Sequence, residues 1–430
     1  MNTVAIRTNP IAVLFISILI SLIFGVLRYH NGFEWIINVS LIFSFFSFLY
    51  FLQYFLRNGL RISYIELYFY LTILVILPLS AIMASINYDQ PLFLGFATQR
   101  DLLFVFMSSL LLILLKQRLI SLEDIKRAFI IVSWLNLIFC LIAMNFIDLN
   151  NATSGSTWVL YKGDGLNRYN LPNQFILFGF IYYIVEFLRK KSFTHLLFSF
   201  AFFTYLFSGN ISRITVLSLL ITFFIFSFNS NTNLILRKKI FETVAIFSLL
   251  GLLFILINLE IFASFAMSFI EAGLVIFGLS DLIVDLSALS RIDQFENIAS
   301  SFFNNIILGN GSVSQQFDGG LQTIFGYFYP SDLGIIGIIW EHGLIIFFLL
   351  SFQYFIAYKQ FQKFKIILKS PDNDSGFIIT IGSILIIYLI SNLTIGSTAF
   401  LLDRMTLLFF ILHFALIKKG GYSYFHKVKQ

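Results

Sequence analysis

Seven basic residues decide what chemistry this chain could do, because they stand where the rest of the sequence keeps basic residues out. Taking the gaps between apolar runs alternately divides Lys plus Arg into a set of 21 and a set of 7. The smaller set is Arg28, Arg100, Lys162, Arg168, Arg213, Arg291 and Arg404. The positive-inside rule puts the larger set in the cytoplasm, so these seven face outward. Arg213 closes the short hairpin Ser208-Gly209-Asn210-Ile211-Ser212-Arg213 between two apolar runs. As an anchor it would snorkel to lipid headgroups. As a binding group, its planar fork matches a pyrophosphate bidentately. Both readings stand.

Arg291 lies in the longest gap between apolar runs, residues 260–331. Ser290 with Asp293 three residues on resembles a capping box, and Ile292, Phe295, Ala299, Phe302, Phe303 and Ile306 follow at helical spacing. The pattern predicts a helix opening at Arg291, where free backbone N–H groups favour an anion. A salt bridge to Asp293 or Glu296 is the competing role. The gap carries seven acids against Arg291 alone, a balance of −6. It is no general anion trap. A few placed arginines would have to hold a pyrophosphate, with Arg168 and Arg100 reaching in from other loops, while acids and amides such as Asp293 suit sugar hydroxyls.

Beyond the gap, Asp332 marks the outer mouth of the next apolar run, with Glu341 and His342 inside it. Asp332 is the better-placed base for an outer-surface reaction, and equally a helix N-cap, with Ser331 as rival. A straight helix from Asp332 would carry Glu341 about 13 Å inward, near mid-membrane, where ionisable groups are costly. A buried hydrogen-bonded pair, or contacts to another span, is the expectation there. Asp372-Asn373-Asp374 resembles the acidic pair of a metal-dependent sugar transferase but has turn composition on the cytoplasmic side. No metal-ligand, phosphate-loop or dinucleotide motif is present, and no cofactor is expected.

The elements that must position these groups are membrane spans. With 58% hydrophobic and 12% charged residues and a mean hydropathy of +0.89, the chain reads as an all-α polytopic membrane protein. Its formal charge of +6 forms no basic patch interleaved with aromatics, which excludes a nucleic-acid reader. Runs long enough to span fall near 11–27, 35–56, 64–86, 98–115, 128–149, 171–188, 196–212, 214–228, 241–259, 332–357, 377–395 and 400–417, about twelve. The first is read as a retained span, since no cleavage pattern follows it. Ile261–Ser280 is apolar too, but counting it would place the Lys359–Lys369 cluster outside. It is read as an extended helix end or an interfacial helix lying on the outer leaflet. Cys140 sits in an apolar run as a buried small residue. The reading is one membrane domain, 1–430, with both termini cytoplasmic and an outer subdomain, 260–331, bearing short helices.

In this order the local patterns resemble the O-antigen polymerase (Wzy-type) and O-antigen ligase superfamily of bacterial envelope proteins. The resemblance rests on Ser212-Arg213 at a span edge, Arg168 through Pro172-Asn173, and Arg291 leading to Gly309-Asn310-Gly311. Asp332-Leu333-Gly334 running to Glu341-His342-Gly343 completes it. It implies a fold related to the GT-C membrane transferases, in the bacterial cytoplasmic membrane. It implies glycosyl transfer on the outer face from undecaprenyl-pyrophosphate-linked oligosaccharides, with membrane lipid and a polysaccharide chain-length regulator as further partners. Arg213, Arg291 and Asp332 would then be catalytic, and Arg168, Arg100, Asp293 and His342 would contact substrate. The ligase branch characteristically has a histidine near the start of the span after the large loop. Here Asp332 stands there and His342 lies deeper, which favours polymerase over ligase. A flippase for the same lipid-linked sugars is the alternative from another class, supported by the span count. Against it, the two halves look unlike, whereas transporter halves tend to be related.

Overall fold

The structure, a computed structural model, describes residues 9–28, 30–58, 62–147, 158–160, 168–206, 286–368, 374–394 and 398–419. Within them the chain is helical apart from one two-residue antiparallel pair, β1 (Val159–Leu160) with β2 (Arg168–Tyr169). The helices are α1 (Pro10–Ile23), α2 (Trp35–Asn58), α3 (Tyr64–Tyr88), α4 (Leu92–Thr98), α5 (Val105–Lys116), α6 (Leu122–Phe146), α7 (Gln174–Lys190) and α8 (Phe193–Tyr205). After the undescribed stretch come α9 (Leu286–Ala299), α10 (Leu321–Phe325), α11 (Ile335–Leu368), α12 (Ser375–Thr394) and α13 (Thr398–Lys419).

Five of these are long and apolar enough to cross a membrane: α2, α3, α6, α11 and α12. A sixth arises if α4 and the Arg100–Lys116 helix form one span bent by 55°. α1 and α8 are shorter apolar helices of 14 and 13 residues. The expected runs 214–228 and 241–259, the interfacial reading of Ile261–Ser280 and the start of the outer subdomain lie outside the described residues.

Ion pairs mark one end of the bundle. Lys116 at the end of α5 meets Glu66 at the start of α3 at 2.6 Å. Lys126, near the start of α6, pairs with Glu123 and lies 3.6 Å from Asp374 beside α12. Arg189 and Lys190 at the end of α7 hold Glu186 at 3.1 and 2.5 Å. Capping boxes start two helices at this same end, Ser63 with Glu66 and Ser121 with Asp124. Asp374 is therefore a structural ion-pair partner, and Asp372 and Asn373 lie outside the described residues. Between the ends, Phe24, Phe129, Phe175, Phe178 and Phe377 pack ring on ring, tying α1, α6, α7 and α12 together. Cys140 is buried, as expected.

The other end carries the segment bearing α9 and α10, and α11 is broken to receive it. Gly343 has φ 79° and ψ 171°, so α11 is two helices joined at a kink. A non-helical segment, 306–311, fills the break. Asn310 and Gly311 donate N–H to the carbonyls of Trp340 and Glu341, both at 2.8 Å. Leu344 and Ile345 donate to Ile306 and Ile307 at 2.9 and 3.3 Å. Non-helical backbone at membrane depth requires this internal satisfaction. Glycine lets the strands approach: a Cβ on Gly309 would lie 2.5 Å from the Glu341 carbonyl oxygen, and one on Gly343 would lie 2.4 Å from that of Ile307.

The break divides α11 just after Glu341 and His342. Sixteen residues separate Gly343 from Lys359 and twenty from Lys363, about 24–30 Å of helix. Glu341 and His342 thus stand on the short first half of α11, that distance from the lysines, and within the apolar helix Ile335–Lys363. Above them Ile298, Phe328 and Trp340 form a small separate core, with Phe302, Leu321, Phe325 and Leu333 packed on it.

Gly311 tests this arrangement. Its φ is 89°, and a Cβ there would lie 2.1 Å from the Ala84 nitrogen on α3. Gly311→Ala should cost more than the roughly 1–2 kcal/mol of a left-handed residue alone. The detergent-solubilised protein should melt several degrees lower, whereas Ala97→Gly on α4 should shift melting much less.

Candidate functional site on the outer end

The sequence-expected residues do not converge on one point. Arg213 lies outside the described residues. Arg168 occupies β2, opposite Leu160. Arg100 is half-buried at the bend between α4 and α5. His342 is buried against Glu341, its Nε2 3.8 Å from the Glu341 carboxylate. Arg291 and Asp293 are both exposed on α9.

Arg291 is not at a helix N-terminus. α9 is already helical at Leu286, so the Arg291 backbone N–H lies in the second turn rather than at a free end. Ser290 does not cap. Its hydroxyl receives Gln294 Nε2 at 3.3 Å, one turn on. Nor does Arg291 form the alternative salt bridge: among the described residues it has no ion pair.

Asp332 departs from expectation in a more useful way. It falls in the 3₁₀ turn Pro330–Leu333, and Gly334 at φ 59° separates it from α11, so neither Asp332 nor Ser331 caps that helix. Gln294 reaches it instead, with Nε2 3.5 Å from Asp332 Oδ2, while Gln294 Oε1 accepts the Tyr329 N–H at 2.8 Å. Gln294 is buried, Asp332 half-buried. Arg291 stands three residues before Gln294 on the same side of α9. Asp332 is thus tied to α9 through Gln294, three residues along that helix from Arg291.

Beneath them is a polar seam that the sequence reading missed. Ser312 donates to the Glu341 carboxylate, and its backbone N–H donates to Ser80 Oγ at 3.0 Å. Gln90 Nε2 donates to the Ser312 carbonyl at 3.2 Å, and Gln90 Oε1 accepts the Ser314 N–H at 2.6 Å. Asn87 donates to the Asn310 carbonyl at 3.2 Å and accepts from Asn305 at 3.0 Å. This seam consumes its own hydrogen-bonding capacity, so it positions the subdomain rather than binding ligand. Ser80, Asn87 and Gln90 inside and just beyond an apolar span were the available signal.

A second missed group lies at the same end of the bundle. Arg28, 2% exposed, points between Asp101 at 3.4 Å and Asp403 at 3.6 Å. It also donates to the Leu22 and Ile23 carbonyls that end α1, and lies 4.0 Å over the Phe104 ring. Arg28 is thus a structural tie, not an outward-facing cation. Acids adjoining Arg100 and Arg404 in the sequence were the signal here.

His30 joins this end to the hairpin. Its Nε2 meets the Asn170 carbonyl at 2.6 Å, and its ring lies 4.5 Å from Trp158. Burial holds its pKa below the ordinary histidine value, against the opposing pull of the Asn170 carbonyl.

Two predictions follow from these contacts. Asp403→Ala leaves Arg28 short of a buried partner and should cost about 3–5 kcal/mol, whereas replacing the pair together, Arg28→Met with Asp403→Leu, should recover much of that loss in thermal melts. For His30 the folded state favours the neutral ring, so it adds stability above the unfolded pKa near 6.5 and loses it as pH falls below. Melting should drop between pH 7 and 5, and His30→Gln should flatten that dependence. No known protein family, curated protein or solved structure matches this chain.

Proposed function

We propose that this chain is a polysaccharide polymerase joining undecaprenyl-pyrophosphate-linked repeat units on the outer face of the bacterial cytoplasmic membrane. The proposal includes about twelve spans in a GT-C-like arrangement, with both termini cytoplasmic. What supports it most is that Gln294 ties Asp332 to α9, the helix that also carries Arg291, at the end of the bundle opposite the lysine-rich ion pairs. A base and a cation at the membrane rim suit a lipid-linked donor, whose pyrophosphate lies at headgroup level while its sugars extend into water.

In the proposed reaction a hydroxyl oxygen of one unit attacks the anomeric carbon of the other glycan. Its proton passes to the Asp332 carboxylate. The bond from the anomeric carbon to the pyrophosphate oxygen breaks, and the electron pair leaves with undecaprenyl pyrophosphate. That leaving group needs little acid assistance, so orientation and charge neutralisation carry the step. Arg291 and Arg213 supply the neutralisation, with Arg168 and Arg100 as substrate contacts beside Asp293 and His342. The acidic balance of the 260–331 segment suits sugar hydroxyls rather than further phosphate.

Polymer length tests the assignment. In cells with normal protein level, Arg213→Ala and Arg291→Ala should each collapse the glycan ladder on gels to one or a few repeats. Asp332→Asn should lower the polymerisation rate of purified protein by roughly 10²–10⁴-fold, the span of general-base effects. Full ladders in both arginine variants would overturn the reading.

A further inference from the structure

We propose that the outer subdomain is seated in the membrane, along an edge formed by Phe303, Ile307 and Leu308, rather than standing in water above the bundle. The argument starts on α11. Ile345, Phe348, Phe352 and Phe355 recur at spacings of three and four and are all exposed, with Phe348 at 66%. On a helix long and apolar enough to cross the membrane, that stripe faces lipid.

The stripe does not stop at the break. The Ile307 carbonyl accepts the Ile345 N–H at 3.3 Å, so the crossing segment lies against the first residue of the stripe. Ile307 and Leu308 are 60% and 40% exposed there, and Phe303, 75% exposed, lies one turn back. Phe303 packs on Phe302 at 5.2 Å between ring centres, and Phe302 on Phe295 at 6.2 Å. An apolar edge thus continues an already lipid-facing surface upward from the span onto α9.

Depth agrees. The break lies about 24–30 Å from the lysines near the other end of α11, at the boundary between hydrocarbon and headgroups. Aromatic and aliphatic side chains fit that zone. The exposed polar residues Arg291, Asp293 and Glu296 lie on the same helix as Phe295, so α9 carries both an apolar and a charged surface. The occupant is therefore the lipid leaflet at that end of the bundle. The inference does not depend on the polymerase reading.

Nitroxide labels in lipid vesicles test it without substrate. Cysteines are introduced singly at Phe303 and Ile307, with Phe348→Cys as the lipid reference and Gln316→Cys, exposed on the polar loop, as the water reference. The buried native Cys140 is left in place, and its residual labelling is measured on the parent protein. Labels at 303 and 307 should collide with oxygen in preference to a water-soluble nickel complex, with a ratio severalfold above that at 316. A ratio matching 316 would overturn the seat. So would labels that neither reagent reaches, since protein and not lipid would then cover the edge. A ratio nearing that at 348 for both positions would confirm it. If the seat holds while the arginine variants still make full ladders, the polymerase reading fails and the membrane seat stands.

Discussion

Two glycines facing each other across a gap no Cβ could occupy hold this molecule's outer end together. Gly309 and Gly343 let a non-helical segment enter the break in α11, and four backbone hydrogen bonds replace those that the helix gives up. Leaving even one such group unpaired at this depth would cost several kcal/mol. Everything above the break inherits its position from that crossing. Trp340, one residue before Glu341, is the floor of the small core under α9, and its indole donates to Ser301. Through that core α9, which bears Arg291, and the 3₁₀ turn, which bears Asp332, are fixed relative to the first half of α11.

Charge is sorted differently at the two ends. At the lysine-rich end the Lys116–Glu66 pair is buried, but other pairs are partly wet, with Lys190 about half exposed and Arg127 likewise. Such pairs contribute little stability individually. Opposite them, Arg28 and Asp403 are almost wholly removed from solvent. A buried pair of this kind is weak evidence for stability, yet losing one member leaves a charge stranded. Arg28 also donates to the Leu22 and Ile23 carbonyls in the last turn of α1, adding to the backbone bond that Gly25 makes to Leu22, so it reinforces the end of that helix from five residues beyond it.

The membrane class and the alternating direction of the helices were legible because they follow from hydropathy and basic-residue placement alone. The ends that carry Glu66, Lys116, Lys126 and Lys190 come together as that alternation requires. Partner choice was not legible. Asp101 and Asp403 are 302 residues apart in sequence, and only the packing of α13 against the bend before α5 places both around Arg28. Local signals misled where tertiary context won. Ser290 with Asp293 has the spacing of a cap, but α9 starts earlier and uses Ser290 to hold Gln294. Gly343 was visible as one more residue in an apolar run, and nothing local distinguishes a glycine that kinks a helix from one that merely sits in it.

The polar seam also constrains how the chain can be made. Ser80, Asn87 and Gln90 find their partners only in Asn305, Asn310, Ser312 and Ser314, more than 200 residues later. At synthesis rates of about 5–20 residues per second, α3 waits on the order of 10–40 s before those partners leave the ribosome. During that interval its outer end must keep water, lipid headgroups or the insertion machinery against Asn87 and Gln90. The segment ahead of α11 therefore completes a helix that was among the first to be made, and a nascent chain arrested before residue 305 would expose an amide-rich notch at the end of α3.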